Sequence, residues 1–143
     1  NRFNNLQQKL EDEFTLSRMI AGYAWEWKSK KDKSLYDMEL DGVKKQWNYR
    51  LENWVLSEGA DKQVGCIHTI QGFDLNYGFV IMGNEIGYDP ESKEIIVRPE
   101  NYYDQNGRKT ASKEELLEYI KHIYYFFQQI MFVLLIYLNN LLL

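Results

Sequence analysis

Three short, mainly apolar runs constrain this chain more than any other feature: residues 17–24 (SRMIAGYA), Val64–His68 and Tyr77–Met82. Each is shorter than an ordinary buried helix and is closed by charged, polar or glycine residues, as strands covered on both faces of a parallel sheet are. The polar segment Thr69–Asn76 is then a loop carrying the chain from the second buried strand to the third. The class this predicts is α/β, a mainly parallel sheet flanked by helices, with β-hairpins inserted between the strands.

The flanking helices and hairpins have their own signals. Phe3, Leu6, Leu10 and Phe14 recur every three or four residues, which predicts an amphipathic helix over residues 1–15. Ser112-Lys113-Glu114-Glu115 pairs a capping hydroxyl with a carboxylate three residues on, so a helix is predicted from there to about Phe127. Asp41-Gly42 tolerates positive φ and predicts a hairpin turn within Tyr36–Trp47. Asp89-Pro90-Glu91-Ser92 predicts a second, between Ile86-Gly87-Tyr88 and Glu94–Val97. Leu51, Trp54 and Val55 at helical spacing predict a brief helix over residues 49–56, ahead of a loop at Ser57-Glu58-Gly59. The run Ile130–Leu138 fits a central strand by length and β-branched content, and a buried helix by periodicity.

Composition bounds the function. With 143 residues the chain fits one domain, residues 1–143, that buries roughly two thirds of its unfolded surface. A net charge of −4 argues against holding nucleic acid unaided, since such affinity comes largely from neutralising phosphates. Lys28, Lys30, Lys31 and Lys33 are the one candidate basic patch, although a solvated charged loop has the same sequence. Aromatics reach 15%, which suits stacking on bases but, scattered as they are, suits a core better. The single cysteine, Cys66, cannot form an internal bridge, and with no secretory leader read at the start the expected compartment is the cytoplasm. The nine-residue run Ile130–Leu138 falls short of the roughly 20 apolar residues of a membrane span, so no membrane is expected, while the apolar tail could support self-association. His68 and His122 are the only histidines, and with Cys66 they do not define a metal site. Asp37, Glu39 and Asp41 alternate along the first hairpin, an arrangement better read as a solvated strand edge than as a carboxylate cluster.

The chemistry concentrates at Val64–Asp74, where a buried strand runs into a hydroxyl, an amide, a glycine and a carboxylate within six residues, Thr69–Asp74. In open α/β sheets ligands sit beyond the carboxyl ends of the strands, where this loop is expected. Gly72 would let the backbone approach a phosphate, Gln71 could orient a water or a phosphate oxygen, and Asp74 could accept ribose hydroxyls.

His68-Thr69-Ile70-Gln71-Gly72-Phe73-Asp74 resembles motif V of superfamily 1 helicases, a hydroxyl residue, any residue, Gln-Gly, any residue and an acid. With residues 17–27, Trp47-Asn48 and Tyr77–Gly83, the chain over roughly residues 17–125 resembles the DUF2075 family, the Schlafen group 3-like DNA/RNA helicase domain. The resemblance implies the second, C-terminal RecA-like domain of a P-loop ATPase. Nucleotide, ATP with Mg²⁺, would lie in the cleft against an N-terminal RecA-like domain, and a DNA or RNA strand across the tops of both. It further implies that Thr69, with His68, contacts the nucleic acid, that Gln71 and Gly72 sense phosphate, and that Asp74, one methylene shorter than the usual Glu, binds ribose. Arg18, at the start of the strand resembling motif IV, is a secondary phosphate candidate for which a salt bridge to a nearby acid is an equal use.

Two departures limit the activity. The sequence contains no phosphate loop and no strand-end acidic pair for Mg²⁺. Where the family places an arginine-bearing motif VI, it reads Tyr125-Phe126-Phe127-Gln128-Gln129, and an arginine there would stabilise the transferring phosphoryl group. No catalytic residue is therefore assigned to this chain alone, and no cofactor is expected on it in isolation. The rival reading is a non-catalytic α/β interaction module with a vestigial nucleotide site.

Overall fold

The computed structural model describes residues 1–104, 112–130 and 133–137. Its centre is a four-stranded parallel sheet of β1 (Ser17–Ala21), β4 (Val64–Cys66), β5 (Tyr77–Met82) and β8 (Val133–Tyr137), in the order β4-β1-β5-β8. All five residues of β1 are buried, and it pairs Met19 with Val64 on one side and with Phe79 on the other. A strand flanked in this way needs apolar side chains toward both faces, which explains why its apolar run is continuous rather than alternating. The terminal apolar run does form a strand, β8, but among the described residues it lies at the sheet edge beside β5 rather than at the centre.

Both hairpins form as the sequence predicts. β2 (Met38–Leu40) and β3 (Val43–Lys45) turn at Asp41 and Gly42, with φ of 54° and 80°. Two successive positive φ values match the right-handed twist of the strands they join. β6 (Ile86–Asp89) and β7 (Glu94–Val97) form the second, its turn held by the Asp89 carboxylate, which accepts from the Glu91 amide at 3.0 Å and the Ser92 hydroxyl at 2.8 Å.

The first helix, α1 (Arg2–Phe14), packs on β1, but its inward face is rotated from the one expected. Leu6 and Phe14 are exposed while Gln7 is buried, because the Gln7 amide donates to the Ser17 carbonyl at 2.8 Å and so joins helix to sheet. A buried amide with its bond made is tolerated where an unmade one is not. The second helix, α2 (Lys113–Ile130), starts at the expected reciprocal cap: Glu115 accepts from the Ser112 amide at 2.7 Å, and the Ser112 hydroxyl accepts from the Glu115 amide at 3.2 Å. Leu116, Ile120 and Ile123, one helical face, join the core. No helix among the described residues is long and apolar enough to cross a membrane.

Two expectations are corrected. Residues 49–56 hold only a single 3₁₀ turn, Trp54–Leu56, because Asn53 sits at φ 50° and breaks the periodicity; Trp54 and Val55 are buried while Leu51 is exposed. Asp37, read as part of a solvated edge, is buried; its carboxylate accepts from the Ser29 amide (2.8 Å), the Ser29 hydroxyl (2.7 Å) and the Trp47 amide (2.7 Å). Glu39 does lie on the exposed side of its hairpin, paired across the strands with Lys44. Self-association through the tail rests on side chains outside the described residues.

Candidate nucleotide and nucleic-acid site

Strand β4 ends sooner than its apolar run suggests. Gly65 lies flat against the Trp54 ring, so close that an alanine methyl would overlap it, and after Cys66 the chain winds into a 3₁₀ turn, Ile67–Thr69. Ile67 and Ile70 point into the core, and the Thr69 hydroxyl donates to the Cys66 carbonyl at 2.7 Å. Thr69 is therefore buried, and His68 beside it is exposed.

The chain then turns at Gly72, whose φ is 84° and whose missing side chain would meet nothing within 4 Å. The Phe73 amide closes the turn onto the Ile70 carbonyl at 3.1 Å. Gln71, Gly72 and Asp74 are all exposed, and Phe73 and Leu75 alternate with them toward the core. At the far end Asn76 is held at the junction of α1 and β1: its amide donates to the Leu16 carbonyl at 3.2 Å, and its side chain to the carbonyls of Phe14 at 2.7 Å and Thr15 at 3.2 Å.

The loop thus spans the length of the sheet. It leaves the carboxyl end of β4 and reaches the amino end of β5, because the two strands run parallel on either side of β1. Thr69 and His68 lie at the carboxyl end, where a ligand was expected. Asp74, two residues from Asn76 and within about 7 Å of chain, is carried toward the opposite end. His68 and Thr69 thus lie toward one end of the sheet and Asp74 toward the other. A depression on α1, lined by Asn5, Gln8, Lys9, Asp12 and Glu13, shares no residue with them.

Arg18 is committed within the fold. Its guanidinium donates to Glu11 (2.7 Å) and to the carbonyls of Val55 (2.9 Å) and Ser17 (2.9 Å), and the side chain is buried. This is the salt-bridge use that the sequence left open, at the amino end of β1.

At the carboxyl ends of β1 and β4 the structure brings together rings that the sequence did not group. Tyr23 lies edge-on to Trp47 with ring centroids 5.0 Å apart, 5.9 Å from Tyr102 and 6.1 Å from His68. Tyr102 in turn contacts Tyr119 of α2. Burial, reinforced by Cys66 and Asp104, pushes the Tyr23 hydroxyl well above its ordinary range, and burial does the same to Tyr102. Burial also raises the Cys66 thiol above its ordinary range. These residues are up to about a hundred positions apart in sequence and share no spacing, so nothing in the sequence could have grouped them.

The parallel sheet and its flanking helices make an α/β domain compatible with a RecA-like fold. More particularly, residues 2–127 match the family described as Schlafen group 3, DNA/RNA helicase domain, and the chain belongs to that family. It is similar to an uncharacterized protein of Saccharomyces cerevisiae, 40% identical over 95 residues that make up 63% of this chain and 20% of the relative. The chain thus spans about a fifth of the relative's length. No solved structure matches it.

Proposed function

We propose that this chain is the second, RecA-like motor domain of a nucleic-acid-dependent ATPase, whose N-terminal domain supplies the phosphate loop. The observation that carries this reading is the family match, which spans the whole of the Val64–Asp74 loop. The parallel sheet with its helices is compatible with a RecA-like fold, and the loop's chemistry is compatible with motif V.

The residues present suit part of a nucleotide site. Gly72, with open space around its α-carbon, would admit a phosphate; Gln71, exposed and free to turn its amide, would orient a phosphate oxygen or water; and Asp74 would accept from a ribose. ATP with Mg²⁺ would supply the phosphoryl group to be cleaved. Arg18 is omitted, because its guanidinium is committed to Glu11 and two carbonyls. His68, exposed beside the buried Thr69, is the side chain of the pair that would meet a DNA or RNA strand.

The experiment is ATP turnover by the longer protein containing this domain, with and without single-stranded nucleic acid. Stimulated turnover is expected, with kcat lowered about tenfold or more by Gln71→Ala, the order of effect when one positioned polar group is lost from a phosphoryl-transfer site. The isolated 143-residue chain should hydrolyse nothing. Unaltered kcat in Gln71→Ala, or turnover by the isolated chain, would overturn the assignment.

A further inference from the structure

The loop that leaves the carboxyl end of β1, residues 22–37, carries Lys28, Lys30, Lys31 and Lys33, and the structure holds it firmly. Ser29 is buried among these lysines, and both its amide and its hydroxyl donate to Asp37. The Asp32 carboxylate accepts from the Ser34 amide (2.9 Å) and hydroxyl (2.7 Å), and the Gln46 side chain donates to the carbonyls of Lys33 and Leu35. The loop backbone is thus pinned at several points, and the four lysines project from it into solvent.

None of the four ammonium groups forms an ion pair among the described residues. Two lie over rings instead: Lys30 is 5.0 Å from the centroid of Trp27, and Lys33 is 4.3 Å from that of Tyr49. Tyr36 and Tyr49 expose 52% and 41% of their surface beside them, enough for a base to stack on each. Like charges on one short loop, none of them in an ion pair among the described residues, repel one another. They become favourable when a polyanion binds.

A row of rings joins this loop to the candidate site. Trp47 touches Trp27 at 5.6 Å and Tyr23 at 5.0 Å, and Tyr23 lies 6.1 Å from His68. Parallel pairing of β1 with β4 puts the lysine loop and His68 at the same end of the sheet. We infer that Lys28, Lys30, Lys31 and Lys33, with Tyr36 and Tyr49, form the surface that receives single-stranded nucleic acid, the phosphates on the lysines and bases stacked on the tyrosines. The inference rests on the helicase-like reading above and gives the strand a location. Exposed aromatics among fixed cations favour a single strand over a lipid headgroup, which needs the charge but not the rings.

The test is fluorescence anisotropy of a labelled oligothymidylate about 20 nucleotides long, titrated with the 143-residue chain at several salt concentrations. The combined variant Lys28→Gln, Lys30→Gln, Lys31→Gln, Lys33→Gln should bind about tenfold or more weakly, and its salt dependence should flatten by roughly 2 to 3 in log–log slope, about 0.7 per phosphate released. The matching four-arginine variant should restore both. Tyr36→Ala with Tyr49→Ala should weaken binding about tenfold and leave the slope unchanged, because stacking releases no counter-ions. A wild-type chain that binds while the glutamine variant binds equally well, with the same slope, would overturn the lysine surface and leave the helicase-like reading standing. A wild-type chain that binds no strand at low salt, or binds only phosphatidylserine vesicles, would overturn the surface; the turnover experiment on the longer protein judges the reading separately.

Discussion

Two loops leave neighbouring strands at the same end of the sheet, and they are built in opposite ways. The loop after β1 folds around a buried carboxylate, Asp37, which fixes its backbone and leaves its cations outside. The loop after β4 is fastened at its two ends, by Thr69 to Cys66 and by Asn76 to the α1–β1 junction, while Gln71, Gly72 and Asp74 between them are exposed. The first is organised before any ligand arrives. The second leaves its polar side chains without a fixed partner among the described residues, between two anchored ends.

The contrast is open to direct tests, beginning where the effect should be largest. Asp37→Ala removes three bonds to a buried carboxylate and leaves the Ser29 and Trp47 amides unsatisfied; we expect a loss of about 3 kcal/mol or more in urea unfolding. A loss below about 1 kcal/mol would show that the β1 loop is not held as described. Next in size is an alkaline effect centred on the rings between the two loops. Tyr23, Tyr102 and Tyr119 all have folded-state pKa values raised above the ordinary 10.0, chiefly by burial. A raised folded-state value means the unfolded chain releases the proton first, so this stability is complete below pH 10 and is lost as the pH climbs through the folded-state values. Urea midpoints should therefore fall steeply above about pH 10, and less steeply in Tyr23→Phe with Tyr102→Phe.

Smaller effects belong to the β4 loop. Thr69→Val deletes the hydroxyl bond to Cys66 and should cost about 1 kcal/mol, read as a shift of the urea midpoint at unchanged m. Gln71→Ala touches nothing in the fold, and its stability should stay within about 0.5 kcal/mol of wild type while turnover of the longer protein falls. If Gln71→Ala destabilised the chain as much as Thr69→Val, the apex of the loop would be as fixed as its ends and the contrast would be lost.

Legibility in the sequence followed the range of the forces involved. β1, β5 and both hairpins could be read because burial on two faces and positive φ are written into consecutive residues. Trp54 and Val55 misled, since a helical spacing cannot reveal that Asn53 adopts a left-handed conformation ahead of them. The burial of Gln7 is not written in the helical spacing, because its partner is a carbonyl ten positions away. Asp37 misled for the same reason, with partners at Ser29 and Trp47 that come together only when the sheet forms. At the candidate site the sequence names the residues of the loop but not the path the loop takes. A loop sequence does not disclose that it must travel from one end of the sheet to the other, separating Thr69 from Asp74.

The fastening of Asn76 has a mechanical consequence. The carbonyls it holds flank two successive non-glycine residues with positive φ, Thr15 at 58° and Leu16 at 47°, a conformation that branched side chains adopt only under constraint. The joint between α1 and β1 is therefore a constrained turn, and Asn76 braces it. One side chain thus both braces the turn out of α1 and anchors the distal end of the loop after β4.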